Sequence, residues 1–177
     1  MQYFNEALAV ELEHIGHPLL SKLYRECKDK KNMCFKRCGN VIVGMQLDPD
    51  KRSTLCRSGI VDQRYAKFRS ERMSNVIFLY DAKHRETLDY WGHMYNQFFI
   101  WYKKDEPAVP NSFFANVEII CAPGIHFYLT LEAALTHLQS IGSSRHWNDN
   151  GQLWGYITNP PTATEIANCI EPPLAID

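Results

Sequence analysis

The sequence predicts an α+β fold, with an N-terminal helical pair, a mainly antiparallel sheet, one late helix and a Pro-rich extended tail. Three observations predict it. Apolar residues recur at helical spacing in the first 28 residues and again after Thr130. Between them lie short runs rich in β-branched and aromatic residues, bounded by Gly, Pro and Asp turn formers. The helical and strand segments are grouped rather than alternating, which favours α+β over a parallel α/β arrangement.

From the N-terminus, Leu8, Leu12 and Ile15 share one face of a helix over Asn5–Ile15, closed by Gly16. Pro18 opens a second helix to about Lys28, with Leu19, Leu20, Leu23, Tyr24 and Cys27 on one broad face. Strands are expected at Val41–Leu47, Asn75–Tyr80, Gln97–Tyr102, Val117–Ile120 and Ile125–Leu129. The polar stretch Asp81–Tyr95 reads as a long loop. Thr130 is placed to cap a helix over Leu131–Ile141, with Glu132 in its first turn and Gly142 as the stop. Asn148–Gly151 reads as a hairpin turn into Leu153–Ile157, and Pro160-Pro161 with Pro172-Pro173 mark an extended tail. These segments divide into an N-terminal helical segment (1–32), an α+β core domain (33–142) and a hairpin with tail (143–177).

A length of 177 residues is enough for one hydrophobic core without staples. A net charge of −1 lacks the basic excess of a dedicated nucleic-acid binder. The first residues show no basic segment followed by an apolar run, and no stretch is long and apolar enough for a membrane span, so membrane insertion is not expected. The six cysteines are accordingly read as reduced thiols.

Four constellations bear on chemistry. Cys34 and Cys38, together with Cys121 and His126, carry the donor types of a tetrahedral zinc site, at a spacing that does not diagnose one; no cofactor is expected. Cys121 or Cys56 with His126 or His137 would supply a nucleophile and a base if the fold brought them together. Arg57, Arg64 and Arg69 lie in a basic stretch over residues 51–72, with Tyr65 and Phe68 interleaved, a composition suited to stacking on single-stranded nucleic acid or to a protein contact. Trp91, Trp101 and Trp154 belong to a surplus of aromatics. Any that stay exposed are natural interface anchors, and Ile170 and Leu174 in the tail are apolar candidates for the same role. Walker-type, GxGxxG, GxSxG and HExxH patterns do not occur, which points away from an enzyme.

Two stretches are familiar together. Cys-Gly-Asn-Val-Ile-Val (38–43), followed by Leu-Asp-Pro-Asp-Lys-Arg-Ser (47–53) and Cys56-Arg57, precedes Cys-Ala-Pro-Gly-Ile-His-Phe-Tyr-Leu-Thr-Leu-Glu-Ala-Ala (121–134). This order resembles an uncharacterised domain of large eukaryotic DNA viruses (iridovirus-like and marseillevirus-like), phages and some bacteria, where it often accompanies pentapeptide repeats. The resemblance spans about residues 34–140, and this chain lacks the repeats. It implies no catalytic residue, but it does imply a fold signature: Gly124 permits a turn, His126 ties it down and Thr130 caps the helix. It also implies a viral or phage origin, and the leading expectation is a non-catalytic viral structural or interaction protein, a minor capsid component contacting its neighbours, located in the host cytoplasm and the virion. The alternatives are a Cys/His enzyme or metal-binding protein using Cys121 and His126, and a nucleic-acid-associated protein using residues 51–72.

Overall fold

In the computed structural model, which describes residues 1–95, 98–137, 139, 141, 145–155 and 159–171, the chain is α+β. Helices α1 (Glu6–His14) and α2 (Pro18–Glu26) come first. Strands β1 (Met33–Cys38), β2 (Val41–Leu47), β3 (Phe68–Ser70), β4 (Met73–Asp81), β5 (Glu86–Thr87), β6 (Tyr90–Tyr95), β7 (Phe98–Lys103) and β8 (Ile125–Phe127) follow. The chain closes with α3 (Leu131–Thr136), β9 (His146–Trp147), β10 (Leu153–Trp154) and α4 (Ala163–Asn168).

The central sheet is antiparallel in the order β1-β2-β4-β5. Period-2 alternation sends its side chains to two different cores. Met33, Phe35, Ile42, Phe78 and Tyr80 meet the helices, together with Leu8, Leu12, Leu20, Tyr24, Leu131, Leu135, Ile166 and Ile170. Cys34, Cys38, Val41, Val43, Met45, Val76 and Leu79 face the other way, onto Phe68, Ile100, Tyr102, Ile125 and Phe127. Both faces are covered, which is why Val41–Leu47 reads as a nearly unbroken apolar run. Gly44 sits directly opposite Phe78, whose ring would lie 2.3 Å from an added Cβ, and the register slips between Gly44 and Met45. Glycine here makes room for the ring and accommodates the bulge.

The caps follow the sequence. The Asn5 side chain accepts from Leu8 N at 3.2 Å to start α1, and Thr130 accepts from Ala133 N at 3.2 Å to start α3. In α4, Thr162 and Glu165 form a reciprocal capping box. A buried arginine serves the other ends. Arg37, on β1, donates to the carbonyl of Leu135 (2.8 Å) in the last turn of α3, to those of Cys169 and Ile170 (3.1 Å) just past α4, and to that of Gly39 (2.9 Å). Its cation thus meets the carbonyl-rich ends of two helices from inside the sheet.

Several expectations are corrected. Asp81–Tyr95 is not a long loop, because it contains β5 and pairs along β6 with β7. Val117–Ile120 forms no strand. The helix after Thr130 ends at Thr136, and Gly142 lies outside the described residues. The stretch expected as an extended tail holds α4, which packs on α1 and α3, and Ile166, Ala167 and Ile170 join the N-terminal helices and the sheet in one core. Ile170 is fully buried in that core and is not available to a partner; Leu174 lies outside the described residues.

Candidate functional site

The chain leaves the outer edge of β4 after Leu88 N donates to Leu79 O (2.9 Å). It returns where Asp105 N donates to Val76 O (2.8 Å). The excursion between them is the β6–β7 hairpin, a two-stranded ribbon outside the main sheet. Alternation splits it as it splits the sheet. Ile100 and Tyr102 point inward and are buried, with the Lys36 ammonium 5.7 Å from the Tyr102 ring.

The outward face carries Tyr90, Gly92 and Met94 on β6, opposite Lys103, Trp101 and Phe99 on β7. Tyr90 is 63% exposed, Met94 68% and Trp101 49%. Trp101 is the hub, 5.9 Å from the Tyr90 ring and 5.0 Å from Phe99 at an interplanar angle of 82°. A Cβ on Gly92 would stand 2.7 Å from the Phe99 ring, so glycine lets that ring lie flat across the ribbon. Trp91 alternates onto the inner face and remains partly exposed at its margin, while Trp154 is exposed on β10. The result is an apolar aromatic plate with Lys103 beside Tyr90 on the same face and the exposed charged residues Lys104, Asp105 and Glu106 following at that end, an apolar centre with charged neighbours as in protein interfaces.

The basic stretch is dispersed. Arg69 is fully buried and donates to the carbonyls of Phe114, Asn116, Ile119 (2.9 Å) and Pro123 (3.2 Å), with its guanidinium 4.8 Å from the Phe113 ring. Arg57, also buried, donates to Asp149 O (2.6 Å), Asn150 Oδ1 (3.1 Å) and Lys67 O. Burial pulls the pKa of both guanidinium groups down. Arg52, Arg64 and Arg72 pair with Glu71, Asp62 and Asp48 at 2.8, 2.8 and 2.7 Å. Tyr65 lies flat on Trp147 at 3.7 Å between centroids. Within residues 51–72, Arg57 and Arg69 are therefore committed to carbonyls and Tyr65 to Trp147, while Lys51, Arg52 and Arg64 stay on the surface.

Beside that stack opens a cleft of about 500 Å³, lined by Tyr65, Lys67, Cys121, Tyr128, His137, Trp147 and Asp149 among others. It brings Cys121 and His137 to one cavity. The Nδ1 of His137 is engaged by the Tyr128 hydroxyl at 2.7 Å, and burial, reinforced by Lys67 and Lys36, lowers its pKa to about 4. His126 lines no part of the cleft. Its Nε2–H donates to Ala122 O at 2.8 Å across the turn that Gly124 allows with φ +149, and burial lowers its pKa to about 4 as well. An added Cβ on Gly124 would come within 3.1 Å of the Phe113 ring.

The four zinc candidates do not assemble. Cys34 and Cys38 are buried under the sheet, where burial pushes both thiols up, Cys38 to about 11. Cys34 contacts Met73 Sδ at 3.6 Å, whereas Cys121 is exposed. Among the described residues, the one group of three converging metal-type donors is Asp81, His84 and Glu86. Sequence reasoning passed over it, although Asp-x2-His-x-Glu beside a turn was the available signal.

Among the described residues no helix is long and apolar enough to cross a membrane. Comparison with protein-family models, with curated proteins and with solved structures finds no match for this chain.

Proposed function

We propose that this protein is a non-catalytic interaction protein that docks onto a protein neighbour through the outer face of the β6–β7 hairpin. By the resemblance of its 121–134 stretch, it acts as a minor structural component of a large DNA-virus particle. The observation that carries the docking reading is the aromatic plate centred on Trp101. Three large apolar side chains are left in water on a ribbon whose other face already secures it to the core. Keeping such a plate exposed forgoes roughly 1.5–3 kcal/mol of burial per side chain, a cost that docking recovers. The occupant is an apolar patch on another protein of the assembly, bordered by charges that meet the mixed charges beside the plate. The reading places the protein in the host cytoplasm and then in the virion.

The test is a Tyr90→Ser/Trp101→Ser pair in the full chain. Circular dichroism and thermal melting report the fold, and quantitative mass spectrometry of purified particles reports incorporation. An unchanged melt with incorporation lost supports the reading. Absence of the wild-type chain from particles removes the virion assignment, and normal incorporation of the variant removes the hairpin as the docking face.

A second reading is favoured by one observation, the shared cleft of Cys121 and His137. A thiol nucleophile with His137 as base would act there, since His126 is occupied by Ala122 O. It predicts that Cys121 alkylates faster than Cys56, which is also exposed, and that His137→Gln abolishes the difference. Equal alkylation rates remove this reading.

A further inference from the structure

We propose that the turn joining β4 to β5 is a divalent transition-metal site, with Asp81, His84 and Glu86 as its protein ligands and zinc as the representative cation. The donor atoms of all three lie within 4.8 Å of one another. The inference does not depend on the docking role.

Three independent features point to a cation there. The first is register. Asp81 and Glu86 are direct partners across the antiparallel pair, and like charges placed opposite one another repel. β5 is only two residues long and both are exposed, so no apolar packing imposes this pairing. Among the described residues the Glu86 carboxylate has no hydrogen-bond or ion-pair partner.

The second feature is preorganisation. Asp81 Oδ1 accepts from Lys83 N (2.9 Å) and His84 N (3.2 Å), which fixes the carboxylate and aims Oδ2 at His84 Nδ1, 2.7 Å away. Two of the three donors are already held beside each other.

The third is the direction of the neighbouring cation. Arg85 sits between the ligands in sequence, at φ +57, yet its guanidinium turns away. It donates to Gly16 O (2.9 Å) and stands 3.6 Å from Glu171. It does not neutralise the facing carboxylates, and Lys83 is the other cation of the turn, exposed to solvent.

The change needed for coordination is small. Zinc takes imidazole nitrogen and carboxylate oxygen at about 2.0–2.2 Å, which in tetrahedral geometry sets adjacent donors about 3.3–3.6 Å apart. The Asp81–His84 contact, now 2.7 Å, therefore opens by about 0.6–0.9 Å while the exposed Glu86 side chain swings in. A carboxylate oxygen only accepts, so Nδ1 carries the ring proton in the hydrogen bond. On coordination that proton leaves Nδ1 and the neutral ring carries it on Nε2. One nitrogen and two oxygen donors select a borderline cation over magnesium or calcium, and water completes the shell. Bound metal would clamp β5 to β4 at the root of the β6–β7 hairpin.

The experiment is isothermal titration of zinc chloride into the full chain carrying Cys56→Ser and Cys121→Ser, so that exposed thiols cannot compete. One zinc per chain is expected, with affinity falling about tenfold or more in both His84→Ala and Glu86→Gln. Thermal melting supplies a readout with a change of sign. Without metal, Glu86→Gln removes the facing charge and matches or raises the melting temperature; with saturating zinc it lowers the melting temperature relative to its parent. No binding, binding that survives both variants, or a Glu86→Gln effect of the same sign in both conditions overturns the proposal.

Discussion

Replacing Arg37 by methionine tests how this fold terminates two of its helices. The methionine stem occupies most of the space of the arginine stem but offers no donor. The carbonyls of Leu135, Cys169 and Ile170 then lose their partner in a region closed to water, whereas Gly39 O, in the β1–β2 turn, can rehydrate. Each stranded carbonyl costs about 1–3 kcal/mol. Releasing the desolvated guanidinium, whose pKa burial already pulls down, offsets part of that. The expected net loss is about 3–4 kcal/mol. At about 2–4 °C per kcal/mol for a chain of this length, the midpoint should fall by about 6–16 °C. Urea denaturation at pH 7, followed by circular dichroism and tryptophan fluorescence, gives the free energy; Arg37→Lys, with one ammonium for three inner carbonyls, should recover less than half of it. A loss under about 1 kcal/mol for Arg37→Met would refute the claim that this side chain holds the ends of α3 and α4.

Gly44→Ala should cost about 1–3 kcal/mol by driving a methyl into the Phe78 ring, and Phe78→Leu in the same chain should recover part of it, as read by urea midpoints. Deleting residues 160–177 should leave no cooperative melting transition, because it removes Ile166 and Ile170 from the core and takes away the Arg37 acceptors of Cys169 and Ile170. A truncated chain that melts as the intact one does would show the C-terminal segment to be peripheral. His126 and His137, with pKa values lowered to about 4 from an ordinary 6.5, stay neutral in the folded state where the unfolded chain takes up protons. Stability should therefore fall as pH drops from about 6.5 to 4, by about 1–3 kcal/mol per histidine. Glu132, whose carboxyl burial pushes up, works in the opposite direction, so the effect is read as the difference between wild type and a His126→Gln/His137→Gln chain. Equal slopes for the two chains would contradict the assignment.

The parts legible in the sequence are those whose cause is local. Val41–Leu47 is an apolar β-branched run because both of its faces are buried, and Asn5, Pro18 and Thr130 mark helix starts through bonds or ring geometry within a few residues. The polarity of Asp81–Tyr95 points to a loop, and Gly92, His93 and Met94 add little strand propensity; pairing with β7 supplies what the local residues lack. The start of α4 was written in Thr162 and Glu165, but the prolines on either side outweighed a helix of only six residues. The arginines misled for a different reason. Their charge suggests a surface, whereas the acceptors that bury Arg69 lie about 45–54 residues further along the chain, a separation that pattern reading does not bridge. Of the candidate site, the surplus of aromatics was visible and Trp101 was named, but the face each aromatic occupies depended on a pairing partner.

Arg69 holds the segment from Phe114 to Pro123 almost wholly by main-chain oxygens, with Phe113 stacked beside it. Every amino acid carries the same carbonyl, so this anchorage is blind to which side chains the segment bears. Apart from the stacked phenylalanines, Asn116, Glu118 with its bonds to Ser58, and Cys121 in the cleft, the segment's path asks nothing of its side chains through this anchor. One buried arginine would thus permit variation in the loop it secures.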